Sequence, residues 1–104
     1  VAIPKKLIIC GKTYSVIKSP KNGGGSFSCG SQKILVGTKW TKEVQHDVLI
    51  HEVLETILAE KSLRFSREVE EKTNGDYLFT FDHDRFDEIC SELSYILRQI
   101  YGHL

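Results

Sequence analysis

The sequence predicts an α+β fold, a small antiparallel or mixed sheet with two main helices packed on one face, and three observations predict it. Up to Gly37 the chain holds short β-prone runs punctuated by glycine turns. A stretch of helical, amphipathic period follows from about Lys42 to Glu60. After an Asn-Gly hairpin signal, a second run of helical period begins at Asp82 or Asp84 and ends at Gly102.

Each element has its own warrant. Leu7 to Cys10 and Thr13 to Lys18 are β-prone and meet across Gly11-Lys12, where glycine at the first central position suits a type II′ hairpin. Ser19 to Gly25 is too rich in glycine for regular structure and is expected to form a mobile surface loop. Ser26 to Cys29 and Gln32 to Gly37 read as a second hairpin turning at Gly30-Ser31. Thr41 is placed to cap the long helix, with Glu43 favourable in its first turn. At about 100° per residue, Ile50, Val53, Leu54 and Ile57 form its apolar stripe. Leu63 to Lys72 and Tyr77 to Phe81 flank Thr73-Asn74-Gly75-Asp76, a strong hairpin signal. In the last helix Phe86, Ile89, Leu93, Ile96, Leu97 and Ile100 recur at helical spacing until Gly102 stops it.

Bulk properties narrow the function. A chain of 104 residues reads as one domain, residues 1–104, able to bury a core without disulfide or metal staples. A bound metal is therefore expected to be functional, not structural. Fourteen basic and fourteen acidic side chains cancel, and no basic run is interleaved with aromatics, so no nucleic-acid partner is expected. No apolar run is long enough to span a bilayer, and Val1 to Cys10 lacks the layout of a secretory signal, so no membrane association is expected. Cys10, Cys29 and Cys90 are widely spaced and odd in number, with no C-x-x-C, which fits reduced thiols in the cytoplasm.

The chemistry concentrates in His51-Glu52-Val53-Leu54-Glu55. This is a near variant of H-E-x-x-H, in which two histidines one helical turn apart bind zinc and the Glu is the general base. His51 and Glu55 lie about 40° apart on the helical wheel at the border of the apolar stripe, while Glu52 points about 100° from His51. Two ligands with an adjacent base need that disposition. Catalytic zinc takes three protein ligands and keeps one position open, and two His with one Glu is an established set. His83, at the mouth of the last helix, is the candidate third ligand; Asp82 and Asp84 are fallback ligands or acceptors for its ring N–H.

Other groups are weaker candidates. His46 lies about 140° around the helix from His51 and cannot share an ion with it. His103 belongs to the terminal tail, where disorder is the default. A solvated helix face on which acids follow a histidine by chance is the plain alternative, but the apolar Leu49-Ile50 and Val53-Leu54 around the motif argue for a cleft. Gly11-Lys12-Thr13 is no phosphate loop, because Lys6 stands where that motif needs glycine and a strand follows. Cys10 and Cys29 read as small buried hydrophobes.

Taken together, Gln32 to Val36, Asp47 to Ile57 and Asp82-His83 resemble small zincin-like proteins of phages, prophages and other mobile elements, distantly similar to the ImmA/IrrE-type and SprT-like minimal metallopeptidases. The resemblance implies a minimal zincin-like fold in which the strand before the helix borders the substrate groove. It implies Zn2+ held by His51 and the residue at Glu55, a downstream ligand, and Glu52 as base. Two features depart from the usual pattern: the second helix ligand is Glu, and no helix precedes the sheet. The extra carboxylate lowers the positive charge at zinc and weakens its polarisation of a carbonyl.

The expected function is a zinc-dependent hydrolase of the peptidase type, with His51, Glu55 and His83 on the metal. Glu52 would take a proton from an activated water and pass it to the leaving amine of a protein or peptide substrate. Tyr77, Tyr95 and Tyr101 are candidates for steadying the oxyanion. The alternative is a non-catalytic zincin-like protein that binds a regulatory partner of phage or host through the sheet edge and glycine loop.

Overall fold

A computed structural model describes residues 2–66 and 77–102. Strands β1 (Lys6–Ile9) and β2 (Lys12–Ser19) form an antiparallel hairpin in which Leu7 faces Tyr14 and Ile9 faces Lys12. That register centres the turn on Cys10 and Gly11, one residue earlier than the sequence suggests. Both have positive φ, 51° and 78°, as a type I′ turn requires, so the expected type II′ turn is not formed. Strand β3 (Gly25–Ser28) pairs antiparallel with β4 (Lys33–Gly37), and β4 lies parallel to β2. The sheet is therefore mixed, in the order β1-β2-β4-β3.

Helix α1 (Lys42–Glu60), strands β5 (Arg64–Ser66) and β6 (Tyr77–Phe79), and helix α2 (His83–Tyr101) follow. Strands β5 and β6 form a separate antiparallel pair, with Arg64 opposite Phe79. The Asn-Gly turn read at Thr73 to Asp76 lies outside the described residues, as does His103. The α+β class read from the sequence is the observed one, a four-stranded mixed sheet with two helices.

Helix boundaries follow local chemistry. The Val44 N–H donates to Thr41 Oγ1 at 3.4 Å and the Arg85 N–H to Asp82 Oδ1 at 2.9 Å, so both expected N-caps form. Gly102, with φ 79°, ends α2. The glycine-rich segment is tied down, contrary to the expected mobile loop. Gly37 N–H donates to the Gly24 carbonyl at 2.7 Å, Thr38 N–H to that of Ser19 at 3.0 Å, and Lys39 N–H to that of Asn22 at 3.1 Å. Those bonds exist because the loop folds back along the end of β4.

One face of the sheet builds the core. Leu7, Ile9, Tyr14, Val16, Ile34 and Val36 are buried, whereas Ile8 and Ile17, on the opposite face, are exposed. Leu49, Val53 and Ile57 of α1 and Ile89, Ile96 and Ile100 of α2 cover that face. The buried side of α1 is rotated from the predicted stripe. Leu49, Glu52, Val53, Thr56 and Ile57 are buried, while Ile50 and Leu54 are only half-buried. The helix lies across β3, β4 and β1, so the line it presents is set by that sheet and not by its own apolar maximum.

A polar lock joins β2 to the end of α1. Tyr14 is fully buried; its hydroxyl donates to Glu60 Oε2, and Lys12 Nζ lies 2.9 Å from Glu60 Oε1. Burial pushes the Tyr14 phenol up, and its hydrogen bonds with Cys29 and Glu60 add to that. At Glu60 burial also raises the carboxyl, but the hydrogen bonds from Tyr14 and Lys12 outweigh it and hold the group below its ordinary value.

Removing the hydroxyl in Tyr14→Phe should lower stability at neutral pH by about 1–2 kcal/mol in urea unfolding. Because Glu60 titrates lower in the fold than in the unfolded chain, its contribution is complete above the unfolded value and is lost as pH falls through the folded one. The Phe variant should therefore lose less stability than the parent on acidification, measured as urea midpoints across pH 2 to 7.

Candidate metal centre

The two edges of the main sheet are finished differently. At β1 the side chain of Gln99 accepts from Ile8 N–H and donates to the Ile8 carbonyl, both at 2.8 Å, and Glu92 Oε2 accepts from Cys10 N–H at 2.8 Å. Side chains of α2 thus cap that edge. At the other edge, among the described residues, β3 has a strand partner on one side only. The candidate site lies beside this second edge.

Gly25 sets the distance between β3 and α1. A Cβ there would stand 2.6 Å from the Leu35 carbonyl oxygen, 2.7 Å from Val48 Cγ1 and 3.0 Å from Glu52 Cγ. Only glycine permits the strand to lie so close to the helix. An open groove results, lined by Gly25, Phe27, His51, Glu52, Glu55 and Arg64 among others. The strand bordering it is therefore β3, not the strand immediately before the helix as the resemblance implied. Strand β4 is interior, hydrogen-bonded on both sides by β2 and β3.

Within the groove, His51 Nε2 lies 2.7 Å from Glu55 Oε2 and 3.9 Å from Glu52 Oε2. One donor atom from each of the three lies within 4.8 Å of the other two. The spacing one helical turn apart brings His51 and Glu55 together, as the wheel indicates. Glu52 belongs to the same group because the rotation of α1 turns it towards β3. Its side chain is 8 % exposed, against 20 % for Glu55 and 66 % for His51, so it is the most buried of the three.

Burial raises the Glu52 carboxyl above its ordinary value and neighbouring Glu55 pushes the same way. The opposing pull of His51 and Arg64 does not cancel this.

His83 does not join this group. It forms a second one with Asp84 and Asp87, all exposed, on the first turn of α2, with His83 Nδ1 3.4 Å from Asp87 Oδ2. Helical spacing pairs His83 with its own neighbour there. Asp82, a fallback ligand in the sequence reading, is occupied as the N-cap. His46 sits apart from His51, as expected, with Nδ1 2.8 Å from the Tyr101 hydroxyl and the rings stacked. Of the tyrosines considered for the oxyanion, Tyr101 is thus engaged with His46, Tyr95 is exposed on α2, and the Tyr77 side chain lies outside the described ones.

The structure adds one charged group that the sequence reading missed. Arg64 Nε donates to Glu55 Oε1 at 3.2 Å, and its guanidinium carbon stands 4.9 Å from the Phe27 ring centroid. No helical wheel could place it, because it reaches the groove from β5 through the tertiary fold. Gly25 escaped notice because it ends a glycine-rich run that reads as a loop, and Phe27 because its strand pattern does not tell which element it will meet.

The donor chemistry fits a divalent ion. His51 Nε2 and Glu55 Oε2 stand 2.7 Å apart, whereas zinc bonds of about 2.0–2.2 Å would put tetrahedral donors roughly 3.4 Å apart, so the pair would open slightly to admit an ion. An imidazole nitrogen with carboxylate oxygens also suits zinc. Comparison with protein-family models, curated proteins and solved structures finds no match to this chain. No helix among the described residues is long and apolar enough to cross a membrane.

The raised carboxyl generates a prediction for metal-free protein. A group that titrates higher in the fold than in the unfolded chain contributes fully below the unfolded value, and that contribution is lost as pH rises through the folded one. Glu52→Gln should therefore raise the urea midpoint of chelator-treated protein at pH 7, with the advantage vanishing on acidification below the ordinary carboxylate range. Unfolding of both proteins at pH 7 and pH 3.5 checks this.

Proposed function

We propose that the groove between β3 and α1 binds a zinc ion and hydrolyses an extended peptide laid along β3, making the chain a zincin-like metallopeptidase of the phage and mobile-element kind. The observation that carries this reading is the meeting of His51, Glu52 and Glu55 at the open edge of the sheet. His51 and Glu55 hold the ion. Bound there, zinc would supply Lewis acidity to the scissile carbonyl and to the attacking water.

The chain's own residues do the rest. Glu52, within 3.9 Å of His51, carries the proton from nucleophile to leaving amine. Its burial raises its proton affinity, which suits a group that must both take and release a proton near neutral pH. Among the described residues β3 is paired on one side only, so its other side would offer backbone groups to hold a substrate strand by main-chain hydrogen bonds. The three cysteines, unpaired in the structure, support a cytoplasmic setting.

A second reading draws on two specific observations. Arg64 already donates to Glu55, and His83 stands in the separate group on α2. Both favour a non-catalytic zincin-like protein that receives a regulatory protein partner at the same edge. It does not require a metal, and a metal kept there would be closed off by a fourth protein ligand.

Elemental analysis of protein purified without chelator or His tag tests the hydrolase reading first. The hydrolase reading expects about one zinc per chain in the parent and none in His51→Ala. His83→Ala identifies the third ligand, retaining zinc if the groove residues suffice and losing it if His83 completes the shell. Glu52→Gln should keep the metal while slowing cleavage of a labelled unfolded protein by about a hundredfold or more. No zinc in the parent, even after zinc is supplied, sinks the hydrolase reading.

A further inference from the structure

We propose that Arg64 is a positioning residue that offsets the second carboxylate of the site, allowing Glu55 to stand where the commoner motif has a neutral histidine. This rests on the metal-binding reading above. A carboxylate in place of histidine adds a negative charge to the ion's surroundings and weakens its electrophilicity. The structure supplies the compensating charge on the residue that creates the excess. Glu55 divides its oxygens: Oε1 accepts from Arg64 Nε at 3.2 Å, and Oε2 faces His51 Nε2 at 2.7 Å. One oxygen is thereby committed to the guanidinium, and the other is left for the ion as a single donor.

The cation is held in place. Arg64 opens β5, which pairs with β6, and its guanidinium lies over the Phe27 ring of β3. Its side chain is 21 % exposed, so water screens its charge only in part. With His51 neutral, as a ligand must be, the guanidinium beside Glu55 offsets part of the charge of the two carboxylates. Lysine would preserve the charge there, whereas a flat guanidinium over the Phe27 ring is a contact lysine cannot reproduce.

The test is zinc affinity, measured by competition with a chromogenic chelator on the parent and on Arg64→Gln, Arg64→Ala and Arg64→Lys. Arg64→Gln keeps a planar end group for Phe27 and guards against loss of fold in Arg64→Ala. His51→Ala is the control that abolishes the site. Removing the positive charge should tighten zinc binding about tenfold in both neutral variants, while Arg64→Lys stays within about threefold of the parent. The gap should narrow in 1 M NaCl, as a charge effect requires.

A purely structural Arg64 predicts the opposite sign, with the site loosening and zinc held more weakly. Unchanged or weaker binding in folded Arg64→Gln, with the parent still binding zinc through His51, would overturn this inference and leave the metal reading intact. Failure of the parent and of every Arg64 variant to bind zinc would overturn both.

Discussion

Where β3 crosses α1, Gly25 leaves no Cβ between the Leu35 carbonyl, Val48 and the Glu52 side chain, and the depth of that contact decides how α1 lies on the sheet. A side chain on Gly25 would lift the helix or displace the strand. The close approach turns the Leu49, Val53 and Thr56 line into the core and carries Glu52 inward with it. A buried carboxylate is costly without compensation, and here it has His51 and Arg64 as nearby cationic or proton-donating groups. The geometry of the groove is thus a consequence of backbone packing one strand away from the helix that carries the motif.

Two carboxyls of α1 show how partners decide the behaviour of one residue type. Glu52 and Glu60 are both poorly exposed carboxyls on the same helix. Glu60 receives hydrogen bonds from Tyr14 and Lys12 and is held below its ordinary value; Glu52 is raised above its own by burial, with the neighbouring Glu55 pushing the same way. The first arrangement fastens the helix to β2, and the second sets a raised carboxyl in the groove beside His51.

The sheet shows a parallel division of labour. Exposed backbone on an edge strand invites pairing with other chains. Gln99 and Glu92 remove that liability at β1, where both reach across from α2. Among the described residues, strand β3 has a strand partner on one side only, and its other side lies next to the His and Glu cluster. Phe27 serves both sides of this arrangement, packing on the core and carrying the Arg64 guanidinium.

Much of the fold was legible in the sequence because its signals are local. The Thr41 and Asp82 caps, the stop at Gly102, the turn near Gly11 and the helical spacing of Ile89, Ile96 and Ile100 depend only on neighbours a few residues away. The meeting of His51 and Glu55 is local for the same reason, being one turn of one helix. What the tertiary structure alone decided involves residues distant in the chain: the parallel pairing of β2 with β4, the placing of β3 at the edge, the rotation that buries Glu52, the arrival of Arg64 from β5, and the separation of His83 from the groove cluster. Periodicity measures which residues share a face of one element; it carries no information on which other element that face will meet, because that choice belongs to the packing of the whole sheet.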